Sequence, residues 1–500
     1  MNLLKRFLPL IIIIVLSFFA IKPLFYQGFF PIHDNTQVAR VFEMTKSLQM
    51  GMFPVRWVPD LGYGLGYPIF NFYAPLSYYF GSIVNLIGFD ALTATKVMMG
   101  FGIILSGIAM YFFAKEFFGK SAGAVAALFY VYAPYHALDI YVRGDVAEFW
   151  AYAFIPLVFY GLWKTYKNKS WFYVLVSSIG YAGIILSHNL TAMMVTPFLL
   201  LYILFLGVSL YRKNQKQTII YLLSGVLLGV LISCFYWLPA LAEMKNSNVL
   251  SQIGGGANYL DHFVCLPQLW SSPWGFGGSA KGCVDGLSFM IGKLYVLVSI
   301  ISIVGISILL LLKKYQKEKE KVLVTIIAFL GFVSSAFLTL EASKFIWQIV
   351  PQMAFFQYPW RFLLMVSFFS SLMAGSFIWL ITSLPLKKFF PHFVFEVSVL
   401  LILVLLFFNT KFFVPQKSLE VNAAYYTNEY ALKWTTSKIS DEYLPKNIKK
   451  PNTAEAALSN KQMFSFAETP VERFSDLVSL AGIAILVIGI IYSTRKYYAK

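Results

Sequence analysis

Charge is what this chain has least of. Asp, Glu, Lys and Arg make up 13% of its 500 residues, against 58% hydrophobic. A soluble domain carries about 25% charged residues, so an ordinary soluble globule is excluded and repeated apolar runs near twenty residues mark a multi-spanning membrane protein. Acidic residues are the scarcer sign, 23 against 40 basic, giving a net charge of +17. The basic excess sits in short clusters between apolar runs, with no long basic stripe, so it orients the chain and implies no nucleic-acid partner. Cysteine is scarce too. Cys234, Cys265 and Cys283 form no metal-ligand spacing; the last two share one predicted outer loop, where a disulfide is open to them. No small-residue cleavage site follows Lys5-Arg6 and the first apolar run, which therefore reads as a retained helix. No cytoplasmic domain is present to drive ATP-dependent transport. Gly62, Gly64 and Gly66 alternate with Tyr63, Leu65 and Tyr67 in a run too short for a nucleotide loop, and this reads as a tight exterior turn.

Twelve spans are expected, near 8–27, 92–113, 121–138, 147–163, 171–188, 192–211, 218–238, 291–312, 322–340, 361–383, 391–409 and 477–493. The short basic loops alternate with them: Lys5-Arg6, Lys115 and Lys120, Lys164 to Lys169, Arg212 to Lys216, Lys313 to Lys321, Lys387-Lys388, and Arg495 to Lys500. By the positive-inside rule this side is cytoplasmic and holds both termini, in a multi-pass protein of the cell membrane. Segments 28–91, 139–146, 189–191, 239–290, 341–360 and 410–476 then face outward. The domain reading is a transmembrane module over 1–409 that includes outer loops 28–91 and 239–290. A small extracytoplasmic segment, 410–476, and a final helix with a basic tail, 477–500, complete it. Asn35 to Gln49 reads as an outer helix capped by Asp34 or Asn35, and Asn71 to Phe89 as an interfacial or partly inserted helix, since counting it as a span would invert every later loop.

Polar groups gather on the outer side. His33-Asp34 follows the first span; Asp34 reads as a helix cap, a general base or a ligand, with His33 tuning it. In Arg143-Gly144-Asp145-Val146-Ala147-Glu148 the two acids are three apart and share a helical face. Arg143 either pairs with Asp145 or contacts a phosphate. His188-Asn189 ends the fifth span, and Gln357-Tyr358-Pro359-Trp360-Arg361 opens the tenth, where the Arg361 fork suits a phosphate and snorkelling is the alternative. His262 lies in the 239–290 loop, and Arg56 in the first outer loop joins the substrate-binding candidates.

The His33-Asp34 motif, the Gly62–Pro68 turn, Arg143-Gly144-Asp145 with Glu148, the Phe356–Arg361 segment and Glu442-Tyr443-Leu444-Pro445 together resemble the integral-membrane glycosyltransferases of the C type. Among them the likeness is greatest to the YfhO-like branch and to the membrane proteins named after a 6-pyruvoyl-tetrahydropterin-synthase-related region. The resemblance implies an all-α polytopic GT-C-like fold with about twelve transmembrane helices and juxtamembrane helices in the first outer loop. It implies transfer of a sugar from a polyprenyl-phosphate donor to an acceptor outside the membrane. Asp34 is then the base, with Asp145, Glu148 and His33 in the catalytic group. Arg143, Arg361, His188, Asn189, Gln357, Tyr358, His262 and Arg56 serve the substrate, and Asp34 with Asp145 would hold a divalent cation, Mg or Mn. The competing functions are a transporter or flippase of lipid-linked sugars and a non-catalytic scaffold for envelope polymers. A transporter favours ionisable groups near mid-bilayer, which are not the pattern here.

Overall fold

A computed structural model describes residues 2–249, 254, 257–312, 316, 318–383, 392–461 and 467–498, with side chains from Phe7 to Ser493. Lys313, Lys314, Lys317, Lys387, Lys388, Lys500, Gly255 and Gly256, and the side chains of Lys5, Arg6, Arg495 and Lys496, lie outside the described residues.

The elements are helical throughout. They run α1 (Asn2–Ile21), α2 (Gln37–Gln49), α3 (Leu76–Leu86), α4 (Ala91–Phe118), α5 (Lys120–Val131), α6 (Val146–Asn168), α7 (Trp171–Ser187), α8 (Asn189–Arg212), α9 (Lys216–Ile232) and α10 (Cys234–Glu243). After a long loop come α11 (Lys293–Leu311), α12 (Lys319–Thr339), α13 (Leu363–Thr382), α14 (Phe393–Asn409) and α15 (Pro470–Tyr498). Among the described residues, nine helices are long and apolar enough to cross a membrane, or ten if the bent pair α9–α10 is one span.

All twelve expected spans fall on helices, but three are not simple crossings. The third is cut after α5, because Pro134 opens a new short helix and its ring disfavours helical geometry in the residue before it. The fifth, α7, has 17 residues. The seventh bends by 64° between α9 and α10. There the Ser233 hydroxyl donates back to the Gly229 carbonyl at 2.9 Å, and the amide of Phe235 is taken by Ser479 Oγ at 2.7 Å. A hydroxyl that takes over helix carbonyls is a recognised cause of bending.

The chain forms two compact units. The first comprises 1–25, 101–143 and 253–416. Its centre is α13, almost entirely buried, with α5, α11, α12 and α14 packed on it. Phe368 of α13 stacks on Phe113 at 5.9 Å, and the Ser302 hydroxyl of α11 donates to the Met373 carbonyl at 3.1 Å. The 239–290 loop contributes the Cys265–Cys283 disulfide.

The second unit comprises 26–100, 144–252 and 417–500. Its frame is the antiparallel hairpin α6–α7. Backbones approach closely there because Gly161 and Gly180 carry no Cβ; one at Gly161 would lie 2.4 Å from Ser177 N and one at Gly180 2.6 Å from Val158 N. The first loop holds α2 and α3, which pack together through Val41 and Gly81. The α2 helix starts at Gln37 with Thr36 in the cap position and no side-chain cap bond. Asp34 and Asn35 thus lie in the preceding turn, and the N-cap position falls to Thr36 and not to either of them.

Candidate active site

The α6–α7 hairpin puts the first turn of α6 beside the last turn of α7, and the acids of one meet the histidine of the other. Asp145 is the N-cap of α6, its carboxylate accepting from the Glu148 amide at 3.1 Å. His188 closes α7 in an extended conformation (φ −155°, ψ 111°) and its Nδ1 engages the Thr191 hydroxyl at 2.8 Å. One ligand atom each from Asp145, Glu148 and His188 lies within 4.8 Å of the others, and all three residues are buried. Two carboxylates and an imidazole suit a divalent cation of the Mg, Mn or Zn type. The cluster can therefore hold a divalent metal.

Gly144 sets the approach to this cluster. Its φ is +68°, and a Cβ there would lie 2.4 Å from Ile32 Cδ1. Its carbonyl accepts from Gln37 Nε2 at 2.8 Å. Residues 32 and 37 thus both rest on Gly144, with Asp34 between them in sequence and Asp145 the next residue after the glycine. Asp34 is half-buried and His33 exposed. Tyr73 links the two acids electrostatically: burial pushes its hydroxyl pKa well up, Tyr78 and Asp145 raise it further, Arg40 opposes, and Asp34 adds to the rise. The metal-capable trio is thus Asp145 with Glu148 and His188, while Asp34 approaches through its loop. The trio adds Glu148 and His188 to Asp145 of the expected ligand pair Asp34–Asp145; hairpin pairing, invisible in the local sequence, supplies His188.

Sequence reasoning missed a second buried group beside this one. Arg40, on α2, is 4% exposed. Its Nη2 donates to Ser440 Oγ at 3.1 Å, its Nη1 to Tyr78 Oη at 3.4 Å, and its guanidinium lies 4.4 Å from the Tyr73 ring centre. The Tyr78 hydroxyl donates on to Gln37 Oε1 at 2.5 Å, and Ser440 Oγ donates to Glu442 Oε1 at 3.1 Å. Burial raises the Glu442 pKa and Arg40 pulls against it. A polar chain therefore runs from Gly144 through Gln37, Tyr78 and Arg40 to Ser440 and Glu442. The Glu442-Tyr443-Leu444-Pro445 motif was its one sequence signal.

The first unit gathers the cationic candidates around aromatic rings. Arg143 donates to Asp139 and, at 3.2 Å, to the Tyr135 hydroxyl, and its guanidinium lies 4.8 Å from the Trp360 ring centre. Arg143 thus has Asp139 as a partner, four residues upstream, beyond the Asp145 weighed from sequence. Arg361 is buried with its guanidinium 5.4 Å from the Tyr358 ring centre. His262 meets the same ring edge-on at 4.7 Å, and Ser279 Oγ joins His262 Nδ1 (2.8 Å) to Trp360 Nε1 (3.1 Å). Gln357 turns the chain into this cluster with φ +63°.

Two candidates are placed differently. Arg56 is bound to Asp476 at 2.7 Å and faces Glu472 at 3.5 Å. Its charge is met by two carboxylates of α15, so it ties the first loop to that helix. Asn189 is exposed and its side chain accepts from the Leu190 amide at 2.9 Å, outside the trio.

A family described as "6-pyruvoyl-tetrahydropterin synthase related domain; membrane protein" matches residues 70–264, which include Asp145, Glu148 and His188. An uncharacterized protein of Lactococcus lactis subsp. cremoris (strain MG1363) is 27% identical over 246 residues, 47% of this chain and 40% of that protein. Among solved structures, the oligosaccharyltransferase of Archaeoglobus fulgidus, tethered to an acceptor peptide containing the NVT sequon, superposes with a TM-score of 0.51. The identity is 12%, over 94% of this chain and 62% of that one. The apo form of the same enzyme gives 0.48 at 13% identity over 96% and 65%. The chain thus spans less than two thirds of the lengths of these proteins, and at such identities the likeness is one of fold. The chain is an all-α, multi-pass membrane protein with a GT-C-like fold.

Proposed function

We propose that this protein is a glycosyltransferase that moves a sugar from a polyprenyl-phosphate donor to an acceptor hydroxyl outside the membrane. The supporting observation is the buried Asp145–Glu148–His188 trio with the Asp34 loop resting on Gly144. In this reading Asp34 takes the proton of the acceptor hydroxyl as its oxygen bonds the anomeric carbon. The bond from that carbon to the phosphate oxygen breaks, and the polyprenyl phosphate leaves with the electron pair. A divalent cation on the trio would supply positive charge for the phosphate. Thr191 meets His188 Nδ1 and helps orient the ring, as hydrogen-bonded partners of metal-bound histidines do. Within the first unit, Arg143 and Arg361 are presented on Trp360 and Tyr358 as candidate anion-binding groups. The reading includes a cell-membrane location, cytoplasmic termini, an outward-facing site and membership of the YfhO-like branch.

The test is transfer by purified protein from a panel of polyprenyl-phosphate sugars, with and without Mg or Mn. Transfer that is abolished by chelator and restored by metal supports the reading. Movement of lipid-linked sugar across vesicles, with no new glycosidic bond, would replace it with the flippase reading.

A further inference from the structure

The first unit carries a groove that the transfer chemistry does not use. It holds about 670 Å³ at the start of α11 and the end of α14. That size falls in the range of small-ligand sites, about 300–1,000 Å³. Lys293 opens α11 and Lys411 follows α14, so both ammonium groups stand at the same end of two membrane-length helices. Each is steered by a ring: Lys293 Nζ lies 5.7 Å from the Trp270 centre and Lys411 Nζ 5.3 Å from that of Phe412. Phe412 in turn packs on Trp274 at 4.8 Å. The Trp274 Nε1–H is buried without an acceptor among the described residues. Among the described residues, no carboxylate lines the groove.

The apolar wall continues from the groove along the spans. Leu297 and Phe408 line it and are 47% and 52% exposed. Ile300, Ile301 and Val304 of α11 and Leu400 and Leu403 of α14 are exposed too, an apolar surface that lipid chains cover in a membrane. Both lysines also depart from the charge bias, since the dense basic clusters belong to the opposite ends of these spans.

We propose that this groove binds one anionic glycerophospholipid of the surrounding membrane, its phosphate between Lys293 and Lys411 and its acyl chains along Leu297 and Phe408. A neutral headgroup would leave the paired charges unused, and free phosphate would leave the apolar wall bare. The indole N–H of Trp274 gives the phosphate a hydrogen-bond donor. This inference does not rest on the transferase reading.

Native mass spectrometry of the full chain, released from micelles containing phosphatidylglycerol, phosphatidylcholine and polyprenyl phosphate at equal concentration, tests it. The expected result is a single phosphatidylglycerol adduct, reduced about tenfold or more in Lys293→Gln/Lys411→Gln, as two lysines at a headgroup imply. The adduct should be retained in Lys293→Arg/Lys411→Arg and lost in Leu297→Trp, which fills the apolar wall. Both lysines are exposed, so these variants keep the packing. Equal retention of phosphatidylcholine, preferential retention of polyprenyl phosphate, or an undiminished adduct in the Gln variant overturns the proposal.

Discussion

The acidic trio of the second unit and the arginine–aromatic cluster of the first are buried by different means. In the second, Asp145 and Glu148 meet at a helix N-terminus with His188 beside them. In the first, Arg143 and Arg361 lie on the faces of Trp360 and Tyr358, and Arg143 has Asp139 as a counter-ion. A guanidinium is weakly hydrated and its charge is attracted to an aromatic quadrupole, so the protein can satisfy it internally. A carboxylate pair has no such recourse to rings, and its neutralisation calls for a proton, a basic side chain or a metal. The acidic group can therefore take an external cation, and the basic group is shaped to present positive charge while keeping it anchored.

The largest effect should come from Asp34→Asn. If Asp34 is the base, transfer falls by about 10²–10⁴-fold while metal binding, measured by calorimetry, is retained. Asp145→Asn should do the reverse in part, weakening metal affinity at least about 10–100-fold, the range seen even for outer-shell changes. Identical metal loss in both variants would erase the distinction between base and ligand. On the basic side, Asp139→Asn leaves a buried guanidinium without its carboxylate and should cost about 3–5 kcal/mol, read as a lower unfolding midpoint. An unchanged midpoint would show that Arg143 is held without Asp139. Gly144→Ala should cost at least about 1–2 kcal/mol, since it adds a Cβ against Ile32 at a left-handed φ; the check is thermal unfolding together with metal affinity.

The smallest effect concerns Glu43. Burial first, then Asp60, pushes its pKa well above the carboxylate range, while its Oε2 accepts from the Asp60 amide at 2.9 Å. The folded state therefore holds this proton more tightly than the unfolded chain. Stability from Glu43 is complete below its unfolded pKa and is lost as pH rises through the folded value. Glu43→Gln should flatten that decline; an unaltered stability–pH profile would remove Glu43 as its source.

Much of the fold was legible because hydropathy is a one-dimensional property: each expected span lies on a helix, and the Asn71–Phe89 stretch holds the 11-residue α3. The departures have local causes, Pro134 and the Ser233 bend, which a hydropathy window averages away. In the site, the Asp145–Glu148 spacing was readable within one turn. His188 had to be brought by a hairpin 40 residues away, a matter of packing between Gly161, Gly180 and their neighbours. Arg40 was hidden for a different reason. On a helix with polar residues interspersed it reads as a solvated face, and only the return of Ser440 and Glu442 from 400 residues downstream buries it. Arg56 illustrates the converse, a cation whose partners on α15 lie 416 and 420 residues downstream, too distant in sequence to foresee.

The Cys265–Cys283 bridge offers an independent compass for the chain. Such links persist in oxidising compartments and are reduced in the cytosol. Maleimide labelling of these two thiols in intact cells, with and without prior reduction by a membrane-impermeant reagent, reports which compartment the loop inhabits. Cys234, buried and unbridged, serves as the silent internal reference. One covalent bond thereby converts a question of lipid topology into one of redox chemistry.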